Sequence, residues 1–309
     1  MLKVQVDKLH TLTGHNQSVY ALQPSSKLNV VFSAAGDGMV AMWDLEQPES
    51  GHLVARLSNS IYALHFHQPS NLLIAGHNYD GIHLLDWEER KEVGSLQLTG
   101  AAIFDIQSLG QYLFIATGDG TLIKVDCRSL TIVGTKQLLS QKSARTIAVN
   151  AHTGEVAVGY SDHFIRVYSA DDLSLIREWR AHQNSVFTLR YDAAGTRLFS
   201  GSRDARLKAW NVQSKYGLQQ EVIAHLYAIN HLDLSPDGKH FVTCSMDRSV
   251  KVWGTDEMRL LKVIDRARHA GHGTSVNKVL WTSFHQQLLS ASDDRTISVW
   301  NINFENDLL

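Results

Sequence analysis

Ser200-Gly-Ser-Arg-Asp-Ala-Arg-Leu-Lys-Ala-Trp-Asn211 decides the fold, because the chain repeats it. A small or hydroxyl residue, a turn aspartate and a closing tryptophan return as SAAGDGMVAMWD around Asp37, TCSMDRSVKVWG around Asp247 and SASDDRTISVWN around Asp294. Weaker copies are IAGHNYDGIHLLD at Asp80, FIATGDGTLIKVD at Asp119 and VAVGYSDHFIRVY at Asp162. The seven aspartates are 43, 39, 43, 42, 43 and 47 residues apart, so 309 residues divide into seven periods. A fixed period of roughly 20–50 residues marks a repeat architecture. The repeat signatures end near residues 44, 87, 126, 169, 211, 254 and 301, which predicts one seven-bladed domain over residues 1–309.

Within a period the chemistry is that of strands. An apolar, β-branched or aromatic run meets a tight turn and then a second run that alternates, as Leu207 and Ala209 do with Lys208 and Trp210. Asp-Gly at 37–38, 80–81 and 119–120 is a strong hairpin signal. Polar turns at Pro24 to Lys27, Gln68 to Asn71, Ala193 to Thr196 and Pro236 to Lys239 separate the first and second strands. Four short strands per period fit this pattern. No window of ten or more residues carries a helical stripe, so helix is not expected. Tandem four-stranded units close most economically as an all-β propeller, each blade burying its faces on its neighbours.

Composition narrows the function classes. Lys plus Arg number 29 against 31 Asp plus Glu, a net charge of −2, which leaves no general field for nucleic acid or an anionic membrane. Apolar residues at 44% suit a large core, and charged residues at 19% do not suit disorder. Cys127 and Cys244 stand without a CxxC motif or a ligand cluster, and point to a reducing compartment. The N-terminal MLKVQVDKLHTL reads as neither signal peptide nor membrane span, so a cytoplasmic protein is expected.

These residues resemble the WD-repeat β-propeller family over essentially the whole chain. Gly14-His15 with Trp43-Asp44 shows the family's full signature, and Ala181-His182, Ala224-His225 and Gly271-His272 head near copies. The resemblance implies a buried tetrad of His, Ser or Thr, Asp and Trp. It maps onto His15, Ser33, Asp37 and Trp43, onto His182, Ser200, Asp204 and Trp210, onto His225, Thr243, Asp247 and Trp253, and onto His272, Ser290, Asp294 and Trp300. At the matching positions repeat two has Gly76, Asp80 and Asp86, repeat three Ile115, Asp119 and Val125, and repeat four Val158, Asp162 and Tyr168. The turn aspartate is expected in every repeat, and the indole is lost from three consecutive ones. The resemblance also implies that one blade is completed by both chain ends. Lys3 to Leu12 would supply the fourth strand of the last repeat, since only nine residues follow Trp300.

In this family the residue after the first apolar position of each first strand lies at the upper mouth of the central channel and contacts peptides. Here that place holds Tyr20, Tyr62, Phe104, Arg145, Phe187, Asn230 and Asn277, with Tyr79, Arg203 and Asp293 added from the turns on the same face. Tyr and Arg combine large contact area with a polar handle, as binding hot spots do.

Other candidates are weaker. Recurring Ser, His and Asp resemble a hydrolase triad, but four copies at blade spacing suit a structural network. His65 and His67 share a strand face and could pair on a metal, although no third ligand accompanies them and a solvated outer face is the expectation. Asp105 could be a buried catalytic carboxylate, although an outward or hydrogen-bonded residue is the expectation, and the basic run Arg266 to His272 could grip an acidic partner but is read as a solvated loop. The expectation is a non-enzymatic, monomeric scaffold or adaptor. It would bind a protein or peptide at the upper rim, with no cofactor, no metal, no nucleic acid and no membrane. The alternatives are a propeller hydrolase or lyase working in the channel, and a structural subunit of a larger complex.

Overall fold

The computed structural model describes residues 3–305. Seven four-stranded antiparallel sheets follow one another along the chain, each with its strands in sequence order except the last. Blade one is Val19–Pro24, Val30–Ala35, Met39–Asp44 and Gly51–Arg56, and blade five is Val186–Tyr191, Arg197–Ser202, Arg206–Asn211 and Gly217–Ile223. The innermost strand of each blade packs on that of the next, and Val19–Pro24 meets Val276–Trp281 to complete the circle.

Blade seven closes the ring as the sequence predicts. Lys3–Leu12 pairs antiparallel with Ile297–Glu305 and supplies the outer strand, with Val6 opposite Ile302 and Val4 opposite Phe304. Val4 and Ile302 lie in one apolar cluster with Val252, Trp281 and Trp300, so the closure is held by burial as well as by the ladder.

Second strands are the most buried elements: Val30–Ala35 and Tyr112–Thr117 have no exposed residue. They lie between two sheets and are covered on both faces, so they read as continuous apolar runs and not as an alternation. The alternation noted in Arg206–Asn211 is therefore incomplete, since Trp210 is as buried as Leu207. Blades approach closely enough to require small residues. A Cβ on Gly201 would sit 2.7 Å from Ile229 Cγ2 of the next blade.

Two short helical turns, neither expected from the sequence, interrupt the strands. Gln68–Ser70 forms a 3-10 turn, and Arg266–His269 a single α turn capped by the Asp265 side chain, which accepts from Arg268 N at 2.9 Å. The basic run is thus locally ordered, with Arg268 paired to Asp265 at 2.6 Å. Among the described residues no helix is long and apolar enough to cross a membrane.

Candidate functional site

Each first strand carries a β-bulge at the same place. The register slips between Val19 and Ala21, Ile61 and Ala63, Ile103 and Asp105, Ala144 and Thr146, Val186 and Thr188, Ile229 and His231, and Val276 and Lys278. The skipped residues are Tyr20, Tyr62, Phe104, Arg145, Phe187, Asn230 and Asn277. A bulged residue leaves the ladder and its side chain is re-aimed. All seven converge on one cavity of about 400 Å³ at the mouth of the channel.

Their mutual geometry is that of a continuous collar. Tyr20 meets Tyr62 edge-on at 4.8 Å between ring centroids, Tyr62 stacks on Phe104 at 5.9 Å, and Arg145 lies over Phe104 at 3.8 Å and Phe187 at 4.9 Å. Burial pushes the Tyr62 phenol up, with Tyr20 and Tyr79 adding to the effect, so it stays a protonated donor at neutral pH. Desolvation lowers the Arg145 guanidinium, but from a value so high that it remains charged. The three added turn residues are exposed and lie outside this cavity, although Asp293 accepts from Asn277 Nδ2 at 2.8 Å.

Below the collar a second layer comprises Asp105, Thr146, His231 and Lys278. Asp105 is held by four donors: Ile106 N at 2.9 Å, Gln107 Nε2 at 3.2 Å, Thr146 Oγ1 at 3.2 Å and Ile147 N at 2.7 Å. It therefore joins blade three to blade four. His231 and Lys278 also line a larger cavity of about 780 Å³ on the opposite side, so they form the waist between the two mouths. His65 lines that lower cavity and accepts or donates to Ser108 at 2.7 Å, while His67 Nε2 lies 2.9 Å from Gly110 O. The solvated outer face expected for this pair is overturned: both sit on an innermost strand and bind the neighbouring blade.

The four networks are hydrogen-bonded throughout. In blade five Trp210 Nε1 donates to Ser200 Oγ at 2.9 Å, Ser200 lies 2.8 Å from His182 Nε2, and His182 Nδ1 lies 3.1 Å from Asp204. Blades one, six and seven repeat this with His15, His225 and His272, whose Nε2 atoms lie 2.7 to 2.9 Å from their hydroxyls. Every donor finds an acceptor only if Nδ1 carries the imidazole proton and gives it to the aspartate. Burial would raise the Asp204 carboxyl, but His182 and the N–H groups of Gln183 and Arg206 outweigh it and bring it to about 2.

Blade two departs from its sequence alignment. Ser33 pairs with Ala41 about Asp37, whereas Ala75 pairs with His83 about Tyr79. Tyr79, with φ 69°, thus occupies the turn centre, and Asp80 lies one place beyond it. The residues matching Ser33, Asp37 and Trp43 are Ala75, Tyr79 and Leu85, not Gly76, Asp80 and Asp86. Asn78, not Tyr79, stands where Arg203 and Asp293 do. Trp87 is buried after the third strand, and its Nε1 has no partner among the described residues.

His77, Asp80 and His83 gather in the space so altered, with ligand atoms within 4.8 Å of one another. His77 Nδ1 lies 3.2 Å from Asp80, and Asn59 N donates to His77 Nε2 at 3.2 Å. That backbone donor leaves the His77 proton on Nδ1, which therefore offers Asp80 a hydrogen bond and no lone pair to a metal. Blade four fills its missing tetrad differently: Tyr160 and Tyr168 hydroxyls meet at 3.1 Å, and Arg166 pairs with Asp162 at 2.8 Å and Glu178 at 3.0 Å.

The comparisons with known proteins divide the ring along the same line. The family model described as "WD domain, G-beta repeat" matches residues 6–44, 173–211, 217–254 and 265–301, the repeats that hold complete tetrads. The chain is 23% identical to the 66 kDa stress protein of Physarum polycephalum, over 94% of this chain and 47% of that one. It is 22% identical to actin-interacting protein 1 of Caenorhabditis elegans, over 94% and 48%. It is 23% identical to WD repeat-containing protein 1 of Xenopus tropicalis, over 96% and 49%. The chain thus spans about half the length of these relatives. The WD40 β-propeller domain of Doa1 superposes with a TM-score of 0.84 at 17% identity, covering 96% of this chain and 97% of that one, and so shares the fold. By its repeat, its tetrads and its seven closed blades, the chain belongs to the WD-repeat β-propeller family.

Proposed function

We propose that the protein is a non-catalytic interaction module whose upper channel mouth binds a peptide segment of a protein partner. One observation carries this reading: seven equivalent bulges aim seven side chains, four of them aromatic and one Arg, into a single cavity. Aromatic rings supply large apolar contact at low entropic cost, and an Arg stacked between two of them is pre-oriented toward a carbonyl or carboxylate. One relative is named for actin interaction, which agrees in kind with a protein partner.

Partners captured by the wild-type chain are to be compared with those of a Tyr20→Ala, Tyr62→Ala, Phe187→Ala triple variant. The proposal expects the triple variant to fold, as shown by its melting curve, and to lose them. Retention of every partner by the folded variant would overturn it.

A further inference from the structure

We infer that the upper mouth is built for an acidic side chain, a Glu or Asp of the bound peptide, whose carboxylate is received by Lys278 and Arg145. This rests on the mouth being the binding surface.

Charge at the mouth is unbalanced. Among its lining residues Arg145 and Lys278 are cationic and Asp105 is the one carboxylate. Asp105 is already committed to four donors, two of them backbone N–H groups. Asp233, below the waist, is likewise taken by Trp281 N at 2.9 Å and Arg190 at 3.1 Å. Neither carboxylate comes within ion-pair distance of Lys278, and the Lys278 ammonium has no hydrogen-bond partner among the described residues. Arg145 lies over the Phe104 and Phe187 rings, with the Tyr62 phenol also acting on it, and has no ion-pair partner among the described residues. Burial lowers the Lys278 ammonium, and Asp105 and Asp233 act against that from beyond ion-pair distance. His231 Nδ1, in the same layer, is also buried without a partner.

Both cations are half-buried at the mouth, so a ligand carboxylate that reaches them gains charge-assisted bonds in a partly desolvated site. A side chain fits better than a chain terminus. A terminal residue would carry its own N–H and C=O groups into the collar, where the Asn230 and Asn277 Nδ2 groups are already donating. Asn230 Nδ2 donates to Ser275 Oγ at 3.0 Å and Val276 O at 2.8 Å, and Asn277 Nδ2 to Val19 O at 3.1 Å and Asp293 at 2.8 Å. The methylenes of Glu need no polar partner and pass between aromatic walls.

The test uses immobilised full-length chain and pools of seven-residue peptides with randomised flanks, acetylated and amidated at their ends. Three pools carry a central Glu, Gln or Lys, and a fourth carries Gln with a free C-terminal carboxylate. Wild type is expected to retain the Glu pool at least about tenfold over the Gln pool, as a charge-assisted bond implies. Lys278→Met should bring that ratio close to one, and Lys278→Arg should keep it, with melting in neither case lower than that of wild type. Equal retention of Glu and Gln pools by wild type overturns the acidic ligand while leaving the mouth as a binding surface. Preference for the fourth pool over the Glu pool overturns the side chain as the source. Retention of no pool, or equal retention by the Tyr20→Ala, Tyr62→Ala, Phe187→Ala variant, overturns the mouth itself.

Discussion

Arg145 holds its guanidinium 3.8 Å from the centroid of the Phe104 ring, so blades three and four meet at the channel mouth through a cation over a π face. Phe187 of blade five flanks the same guanidinium at 4.9 Å. Arg145→Lys keeps the charge but loses the planar stack on both rings. It should lower stability by about 0.5–1 kcal/mol in urea titration and weaken partner capture by more than Tyr79→Ala does. Equal capture by the two variants would remove Arg145 from the binding surface.

Asp204→Ala leaves His182 Nδ1–H and the Gln183 and Arg206 N–H groups without their acceptor. Asp119 instead binds Thr117 Oγ1 at 2.6 Å and Thr121 N at 3.1 Å, in a turn with no histidine. Urea melts should show a loss of roughly 2–4 kcal/mol for the first variant and about 1 kcal/mol for Asp119→Ala. Similar losses would mean that the tetrad contributes no more than an ordinary turn aspartate.

The two indoles make a cleaner contrast. Trp210 Nε1 donates to Ser200 Oγ, whereas Trp87 Nε1 is buried with no partner among the described residues. Trp87→Phe removes an unsatisfied donor and Trp210→Phe orphans a hydroxyl, so the second should cost at least about 1 kcal/mol more. Differential scanning calorimetry on the two single variants checks the order.

Acid should unfold the protein in two stages. Burial lowers the imidazoles of His15, His182 and His225, and burial with His67 and Arg190 nearby brings His65 down to about 3. These groups bind protons less readily folded than unfolded, so their contribution is whole above the unfolded value of about 6.5 and is lost as pH falls. His65 alone should account for about 2 kcal/mol at pH 5. Asp204, at about 2, adds a second decline below the unfolded carboxylate value of about 3.9. Melting temperature against pH should be flat near neutrality and fall from below about pH 6.5. A flat profile down to about pH 4 would contradict the buried neutral histidines.

Removing residues 1–12 deletes the outer strand of blade seven, including Val4 and its cluster with Ile302 and Trp281. Cooperative loss of stability is expected, with recovery when the twelve-residue peptide is added in trans. An unchanged melting temperature would show that the ring holds without its closing strand.

Much of this was legible along the chain because a blade is a local object. The spacing of the seven turn aspartates determined the number of blades, and the family resemblance carried the complete tetrads onto four of them. The resemblance, applied to the spare alternating run of Lys3 to Leu12, anticipated how the ring closes. The same spacing misplaced blade two, where an Asp-Gly pair drew the alignment onto Asp80, although strand pairing centres the turn on Tyr79. Register is set by which faces meet across strands and between blades, and a dipeptide does not encode that. Tertiary structure alone decided what enters the channel. Only when seven bulged strands converge do Tyr20, Arg145 and their counterparts become one collar. Only then does Lys278, distant in sequence from Asp105 and Asp233, become a half-buried charge of the channel beside carboxylates that are already taken. Net charge near zero describes the whole surface, whereas a pocket's charge depends on which few groups the fold brings inside and leaves unpaired.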